Sequence, residues 1–120
     1  MLILDTHILL YALAGGLRPK EKKALSDQPW SISGIALWEI TMLKRRRRIE
    51  FDWKDPAVIK ALGRIHVWPI TQEVSRVLEN LDFRGDPADE IMAATSLLHK
   101  LPFATRDANI RKSKLLKFPF

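Results

Sequence analysis

The side chains best suited to chemistry in this chain are carboxylates placed among apolar neighbours. A carboxylate in apolar surroundings is costly unless a cation or a hydrogen-bond donor compensates its charge. Four acids have this setting: Asp5, Glu39, Asp89 and Asp107. If they meet, their mutual repulsion requires cations, and oxygen ligands without cysteine favour Mg²⁺ or Mn²⁺ over Zn²⁺. The acids therefore indicate a centre for metal-assisted chemistry.

Each acid also has a purely structural explanation. Asp5 and Asp107 stand where a carboxylate caps a following helix, and Glu39 either reaches solvent or pairs with a cation such as Arg46. Asp89 suits the positive end of a helix dipole equally well. These alternatives stay open from the sequence. Asp86 precedes a proline, and for this residue the N-cap role is favoured.

Alternating strands and helices are predicted to position these acids. Strands are predicted at 2–4, 30–32, 67–68, 102–105 and 117–120. Helices are predicted at 6–14, 19–27, 34–44, 56–62, 72–81 and 87–100. This order indicates an α/β domain with a mainly parallel sheet and helices on both faces. Ligands bind beyond the carboxyl ends of such strands, where Asp5 and Asp107 would share one edge.

Length and composition fit one domain over residues 1–120. The chain is 47% hydrophobic and 28% charged, which is typical of globular proteins. It contains no cysteine, so disulfide frameworks and thiolate chemistry are excluded and a reducing, cytoplasmic compartment is expected. No apolar stretch approaches the roughly 20 residues that span a bilayer, so we expect no membrane segment.

The charge balance predicts a polyanionic partner. Twenty Lys and Arg against fourteen Asp and Glu give a net charge of +6, and nucleic acid is the leading candidate. The densest basic run is Lys44, Arg45, Arg46, Arg47 and Arg48. This run is either a solvated face or a surface that contacts phosphates, and an acidic protein segment could also use it. The histidines His7, His66 and His99 occur singly and are expected to pack or face solvent.

Four segments together resemble the PIN-domain family, specifically the VapC-like ribonuclease toxins of prokaryotic type II toxin–antitoxin systems. The segments are Leu4-Asp5-Thr6-His7-Ile8-Leu9-Leu10-Tyr11, Ser33-Gly34-Ile35-Ala36-Leu37-Trp38-Glu39-Ile40, Asp86-Pro87-Ala88-Asp89-Glu90-Ile91-Met92-Ala93-Ala94-Thr95 and Ala104-Thr105-Arg106-Asp107-Ala108. The resemblance implies a three-layer α/β/α fold, endoribonuclease activity that needs Mg²⁺ or Mn²⁺, a small antitoxin partner and a homodimer.

The resemblance also assigns roles to residues. It places the family's four acids at Asp5, Glu39, Asp89 and Asp107, with Asp86 as a secondary acid. Relatives often carry a His and an Arg around the Asp-Pro segment, where this chain has Arg84 and Glu90. This departure affects local substrate contacts and leaves the acidic set intact.

The resulting hypothesis is hydrolysis of an RNA phosphodiester by metal-activated water. Asp5 and Asp89 are expected to bind the metal directly. Glu39 and Asp107 bind a second ion, position water or support the first ligands. Thr6 and Thr105 are expected to supply hydroxyl contacts near the site.

Two competing functions remain at this stage. A catalytically silent PIN-like module would bind RNA or a protein without cleaving it. An aspartyl phosphatase needs a second Asp two positions after the nucleophile, but His7 occupies that place beside Asp5. The phosphatase is therefore the least favoured of these functions.

Overall fold

A computed structural model describes all 120 residues and has a four-stranded parallel sheet at its centre. The strands are β1 (Leu2–Leu4), β2 (Trp30–Ser33), β3 (His66–Trp68) and β4 (Phe103–Ala104). Their spatial order is β3-β2-β1-β4, and every neighbouring pair is parallel. Ile3 pairs with Ser31 on one side and with Phe103 on the other, so β1 is an interior strand as predicted.

Helices cover both faces of this sheet. They are α1 (Thr6–Ala14), α2 (Pro19–Leu25), α3 (Gly34–Arg45), α4 (Pro56–Leu62), α5 (Gln72–Leu78) and α6 (Pro87–His99), followed by a 3₁₀ turn at Ile110–Lys112. Successive strand residues point to opposite faces, yet all of β1 is fully buried. The predicted three-layer α/β/α fold is therefore confirmed. None of the helices combines the length and apolar character needed to cross a membrane.

Side chains cap several helices at the positions predicted from the sequence. The Ser33 hydroxyl accepts a hydrogen bond from the Ile35 N–H at 3.3 Å, and the Asp55 carboxylate accepts one from the Ala57 N–H at 2.9 Å. Gly15 ends α1 with a φ of 76°, a left-handed conformation that glycine adopts without strain. These local signals fix the approach of α1 and α3 to the strand ends.

Three predicted elements differ from the structure by two residues or more, and the other bounds agree within one residue. Residues 117–120 form no strand: only the Lys117 carbonyl accepts a sheet-like bond, from Phe103, and Pro119 lacks the N–H that a ladder needs. Helix α5 ends at Leu78 and not at residue 81, because Asp82 is held by Ser113 and Lys114 at 2.6 and 2.7 Å. Helix α2 ends at residue 25, two residues earlier than predicted.

A buried ion pair fastens α2 to the segment that follows β4. The Glu21 side chain is almost fully buried, and Arg106 donates to its two oxygens from Nε at 2.7 Å and from Nη2 at 2.6 Å. Arg106 also donates to the Gly16 carbonyl and lies over the ring of Tyr11 at 3.9 Å. These bonds from Arg106 lower the pKa of Glu21 to about 2. The pair was not anticipated from the sequence.

Replacing Glu21 tests this contact. The folded-state pKa of about 2 lies below the ordinary value of 4.5, so the stabilisation is complete above about pH 4.5 and is lost as pH falls toward 2. Glu21→Gln should lower the free energy of unfolding by about 2 kcal/mol near neutral pH. Urea unfolding should show this difference shrinking in acid, whereas the exposed control Glu50→Gln should match the parent chain. A pH-independent difference would contradict this role.

Candidate metal centre

The sheet order brings the four predicted acids to one end of the molecule. Asp5 follows β1, Asp107 follows β4, Glu39 lies on α3 directly after β2, and Asp89 lies in the first turn of α6. The negative charges of the other three acids all contribute to raising the pKa of Asp89. Four acids that are distant in sequence therefore interact in the fold.

Asp5 is the most constrained member of the group. Its side chain is 4% exposed, and its Oδ2 accepts a hydrogen bond from the Thr105 hydroxyl at 2.7 Å. Its Oδ1 is also buried and has no hydrogen-bond partner. Burial raises the pKa of Asp5, and the charge of Asp107 acts in the same direction. Asp5 makes no capping bond to α1, so the structural alternative for this acid is wrong.

Glu39 presents a second unpartnered oxygen beside Asp5. Glu39 Oε1 is buried without a hydrogen-bond partner. One carboxylate oxygen each from Asp5 and Glu39 and one ring nitrogen of His7 all lie within 4.8 Å of one another. The alternative that Glu39 pairs with Arg46 is wrong, because the salt bridge of the chain joins Glu21 and Arg106.

Asp89 is the acid whose ionisation is most affected by this environment. Its pKa is raised to about 7, first by burial and then by the charges of Asp5, Glu39, Asp107 and Asp86. Asp86 occupies the N-cap position of α6, but its side chain makes no capping hydrogen bond. The favoured capping role of Asp86 is therefore wrong, and its exposed carboxylate adds negative charge to the group.

Asp107 has both a structural and an electrostatic role. Its Oδ1 accepts a hydrogen bond from the Ile110 N–H at 3.0 Å, which starts the 3₁₀ turn, as the capping alternative expected. Its backbone N–H donates to the Thr105 hydroxyl at 3.0 Å. Asp107 thus fixes Thr105, which in turn holds Asp5, while its own exposed carboxylate lies at the rim of the group.

Two residues differ from expectation in their placement. His7 joins the acidic group, although it was expected to be a lone surface or packing histidine. The signal was its position two residues after Asp5, within the first turn of α1. Thr6 faces away: its buried hydroxyl donates to the Met92 sulfur at 3.6 Å and contacts no carboxylate. Of the two predicted threonines, only Thr105 contacts an acid.

These donors suit a hard divalent cation. Two buried oxygens, Asp5 Oδ1 and Glu39 Oε1, lack the hydrogen-bond donors that buried carboxylates require. A nearby cation would satisfy both oxygens and favour ionised Asp89. Carboxylates with one imidazole and no thiolate fit Mg²⁺ or Mn²⁺.

Only part of the basic run lies beside the acids. Helix α3 ends at Arg45, and Arg47 adopts a left-handed φ of 55°, so the run turns rather than forming one helical face. Arg46 and Arg48 line a cleft of about 330 Å³. The same cleft is lined by His7, Trp38, Glu39, Met42, Leu43, Asp86, Pro87 and Ala88. Lys44, Arg45 and Arg47 are exposed but do not line it.

Comparison with known proteins identifies a related family and related folds. The family model described as PIN domain matches residues 2–114. No curated protein matches the chain significantly. A toxin–antitoxin complex from Klebsiella pneumoniae superposes with a TM-score of 0.74 at 22% identity, covering 100% of this chain and 98% of that one.

Two further solved structures share the fold. VapBC2 from Rickettsia felis, bound to a DNA fragment from its promoter, gives a TM-score of 0.73 at 15% identity, covering 97% of this chain and 95% of that one. FitAcB from Neisseria gonorrhoeae gives 0.70 at 19% identity, covering 98% and 96%. These likenesses show the fold over almost the whole chain.

The raised pKa of Asp89 has a measurable effect on stability without metal. Because its folded-state pKa of about 7 exceeds the ordinary 3.8, its contribution to stability is complete below about pH 3.8 and is lost as pH rises through 7. Asp89→Asn removes this titration. In EDTA near pH 8, the variant should be about 2 kcal/mol more stable than the parent chain, a figure reduced for partial exposure.

Urea unfolding at several pH values measures this effect. The gain should vanish in acid, where Asp89 is protonated, and the exposed control Asp27→Asn should show no gain at any pH. A less stable Asp89→Asn variant near pH 8 would contradict the electrostatic description of the site.

Proposed function

The chain belongs to the PIN domain family, and on that premise we propose that it is a metal-dependent endoribonuclease that hydrolyses RNA phosphodiester bonds. Its cofactor is Mg²⁺ or Mn²⁺, and residues 1–120 act as a single PIN domain. The observation that carries the proposal is the pair of unpartnered, buried oxygens on Asp5 and Glu39 beside His7. Buried carboxylate oxygens that have no hydrogen-bond partner are available to bind a cation.

The chain's own residues divide the work at this site. Asp5 Oδ1 and the Asp89 carboxylate would hold the metal, while Glu39 and His7 would complete its ligands or orient water. A bound divalent ion lowers the pKa of water, polarises the phosphoryl group and neutralises charge on the departing oxygen. The Thr105 hydroxyl fixes Oδ2 of Asp5 and so directs Oδ1 toward the ion.

The biological role proposed here is the toxin of a type II toxin–antitoxin pair. The structural neighbours from Klebsiella pneumoniae and Rickettsia felis are a toxin–antitoxin complex and VapBC2. Their likeness in fold, together with the four motif segments of the sequence, supports an antitoxin partner for this chain. The homodimer and the cytoplasmic location stay predictions.

Removal of metal or of its main ligands should abolish cleavage. With a structured RNA and Mn²⁺, Asp5→Asn and Asp89→Asn should each lower the cleavage rate at least about 100-fold, and EDTA should stop the reaction. Asp27→Asn, an exposed acid outside the site, should cleave like the parent chain. Gel analysis of end-labelled RNA measures the rates.

Two results would contradict the proposal in different ways. Full cleavage by repurified Asp5→Asn protein would show that the assigned ligands are wrong. RNA binding without cleavage by the parent chain, in either metal, would identify a silent PIN-like binding module.

The support that Thr105 gives to Asp5 can be tested separately. Thr105→Val removes the hydroxyl but keeps the side-chain shape, so the Mn²⁺ concentration for half-maximal cleavage should rise about 10- to 100-fold. Thr105→Ser keeps the donor and should restore most of the affinity for Mn²⁺. If both variants lose affinity equally, Thr105 acts through packing and its hydrogen bond to Asp5 is unimportant.

A further inference from the structure

A second basic cleft lies beside the acids, apart from the Lys44–Arg48 run. It encloses about 220 Å³. Its lining residues are Arg18, Lys20, Glu21, Thr105, Arg106, Arg111 and Phe120. Four of these seven are cationic and one is acidic, so the cleft can attract anions.

Part of the positive charge in this second cleft is free to act on a ligand. Glu21 neutralises Arg106 through the buried ion pair. Arg111 donates to two backbone oxygens, those of Thr105 at 3.0 Å and Phe120 at 2.6 Å. Arg18 and Lys20 are exposed and form no salt bridge. Arg18 and Lys20 are thus the two cations of the cleft that are available to a ligand.

The sheet order places the second cleft and the first cleft, in which Arg46 and Arg48 accompany Glu39 and Asp86, on opposite sides of Asp5. The first cleft contains Glu39, from the helix that follows β2, and the second contains Thr105, which follows β4. Strands β2 and β4 flank β1, whose end carries Asp5. Asp5 lines neither cleft, but each cleft has a lining residue next to it: His7 and Glu39 in the first, and Thr105, which donates to Asp5 at 2.7 Å, in the second.

We propose that a single-stranded RNA crosses the acidic group with phosphates bound in both clefts, and that the second cleft holds a phosphate on one side of the scissile bond. This inference rests on the proposed function. Carboxylates at the site repel a polyanion, so cations on both sides are needed to hold the strand across them.

The exposed ring of Trp38 and the partly buried ring of Phe120 favour RNA over an acidic protein segment as the occupant. Trp38, which is 54% exposed, lines the first cleft, and Phe120 lines the second. Basic grooves with aromatic side chains bind single strands by combining phosphate contacts with base stacking. An acidic peptide would use the cations but would gain less from the rings.

The salt dependence of RNA binding tests this path. The probe is a fluorescein-labelled oligouridine of about 12 nucleotides, bound to proteins that carry Asp89→Asn so that it stays intact. Arg18→Gln/Lys20→Gln removes two charges from the second cleft, and Arg46→Gln/Arg48→Gln removes two from the first. Each pair should reduce the slope of log K against log salt by about 1.4, and their combination by about 2.8.

A matched control comes from the same helix as Lys20. Lys22→Gln/Lys23→Gln removes two exposed charges of α2 that do not line the cleft, and its slope should stay close to that of the parent. With the acids intact, Arg18→Gln/Lys20→Gln should raise KM for the RNA about 10-fold while kcat stays within about twofold, since these side chains bind and do not react.

Several outcomes would overturn the inference. The slope could be unchanged by Arg18→Gln/Lys20→Gln, or the control pair could lower it equally; in either case the second cleft holds no phosphate. Competition by poly-glutamate with an unchanged RNA slope would assign the cleft to an acidic protein.

If the parent chain still cleaves RNA with Mn²⁺, the proposed function survives each of these results. Loss of cleavage with the predicted slopes would refute that function and leave the RNA path standing.

Discussion

Two desolvated carboxylate oxygens without hydrogen-bond donors impose the main constraint on this molecule. Asp5 Oδ1 and Glu39 Oε1 are both buried, an oxygen of each acid lies within 4.8 Å of one of the other, and neither acid forms a salt bridge. Such an arrangement opposes folding, because desolvation and mutual repulsion both disfavour the charged forms. The pKa of Asp89 is raised by its own burial first and then by the charges of Asp5 and Glu39. A divalent cation would relieve this repulsion.

The rest of the fold holds these groups in place despite their repulsion. The parallel order β2-β1-β4 directs three strand ends to one edge, and the Thr105 hydroxyl fixes one oxygen of Asp5 so that the other is presented. The salt bridge of Glu21 with Arg106 involves none of these acids and joins α2 to the segment after β4. The ion pair therefore stabilises the scaffold, whereas the carboxylates of the site keep their negative charge for a ligand.

Local signals explain why much of the fold was predictable from the sequence. The apolar run at β1, the glycines after α1 and the capping side chains of α3 and α4 act within a few residues, and all appear in the structure. The Lys117–Phe120 segment was predicted to be a strand. It forms none, because a strand needs a partner and the proline in this segment prevents pairing. The end of α5 depends on bonds from Asp82 to residues about 30 positions away, which no local pattern reveals.

The difference between local signals and long-range contacts also applies to the candidate site. Asp5, Glu39 and Asp89 were found because an acid among apolar residues is visible in the sequence, and their placement in one group follows from the strand order. His7 was missed because its relation to Glu39 exists only in three dimensions. Glu21 was missed for the same reason, since its partner Arg106 lies 85 residues away. Asp86 looked like a helix cap, but position alone did not ensure a capping bond.

Anomalous diffraction from crystals soaked in Mn²⁺ tests the central claim most directly, because it locates the cation without reference to activity. The account predicts a peak within about 2.5 Å of both Asp5 Oδ1 and Glu39 Oε1, or of Asp5 Oδ1 and an Asp89 oxygen. Saturating Mn²⁺ with no peak near Asp5 would show that these oxygens are tolerated without a cation and would contradict the account.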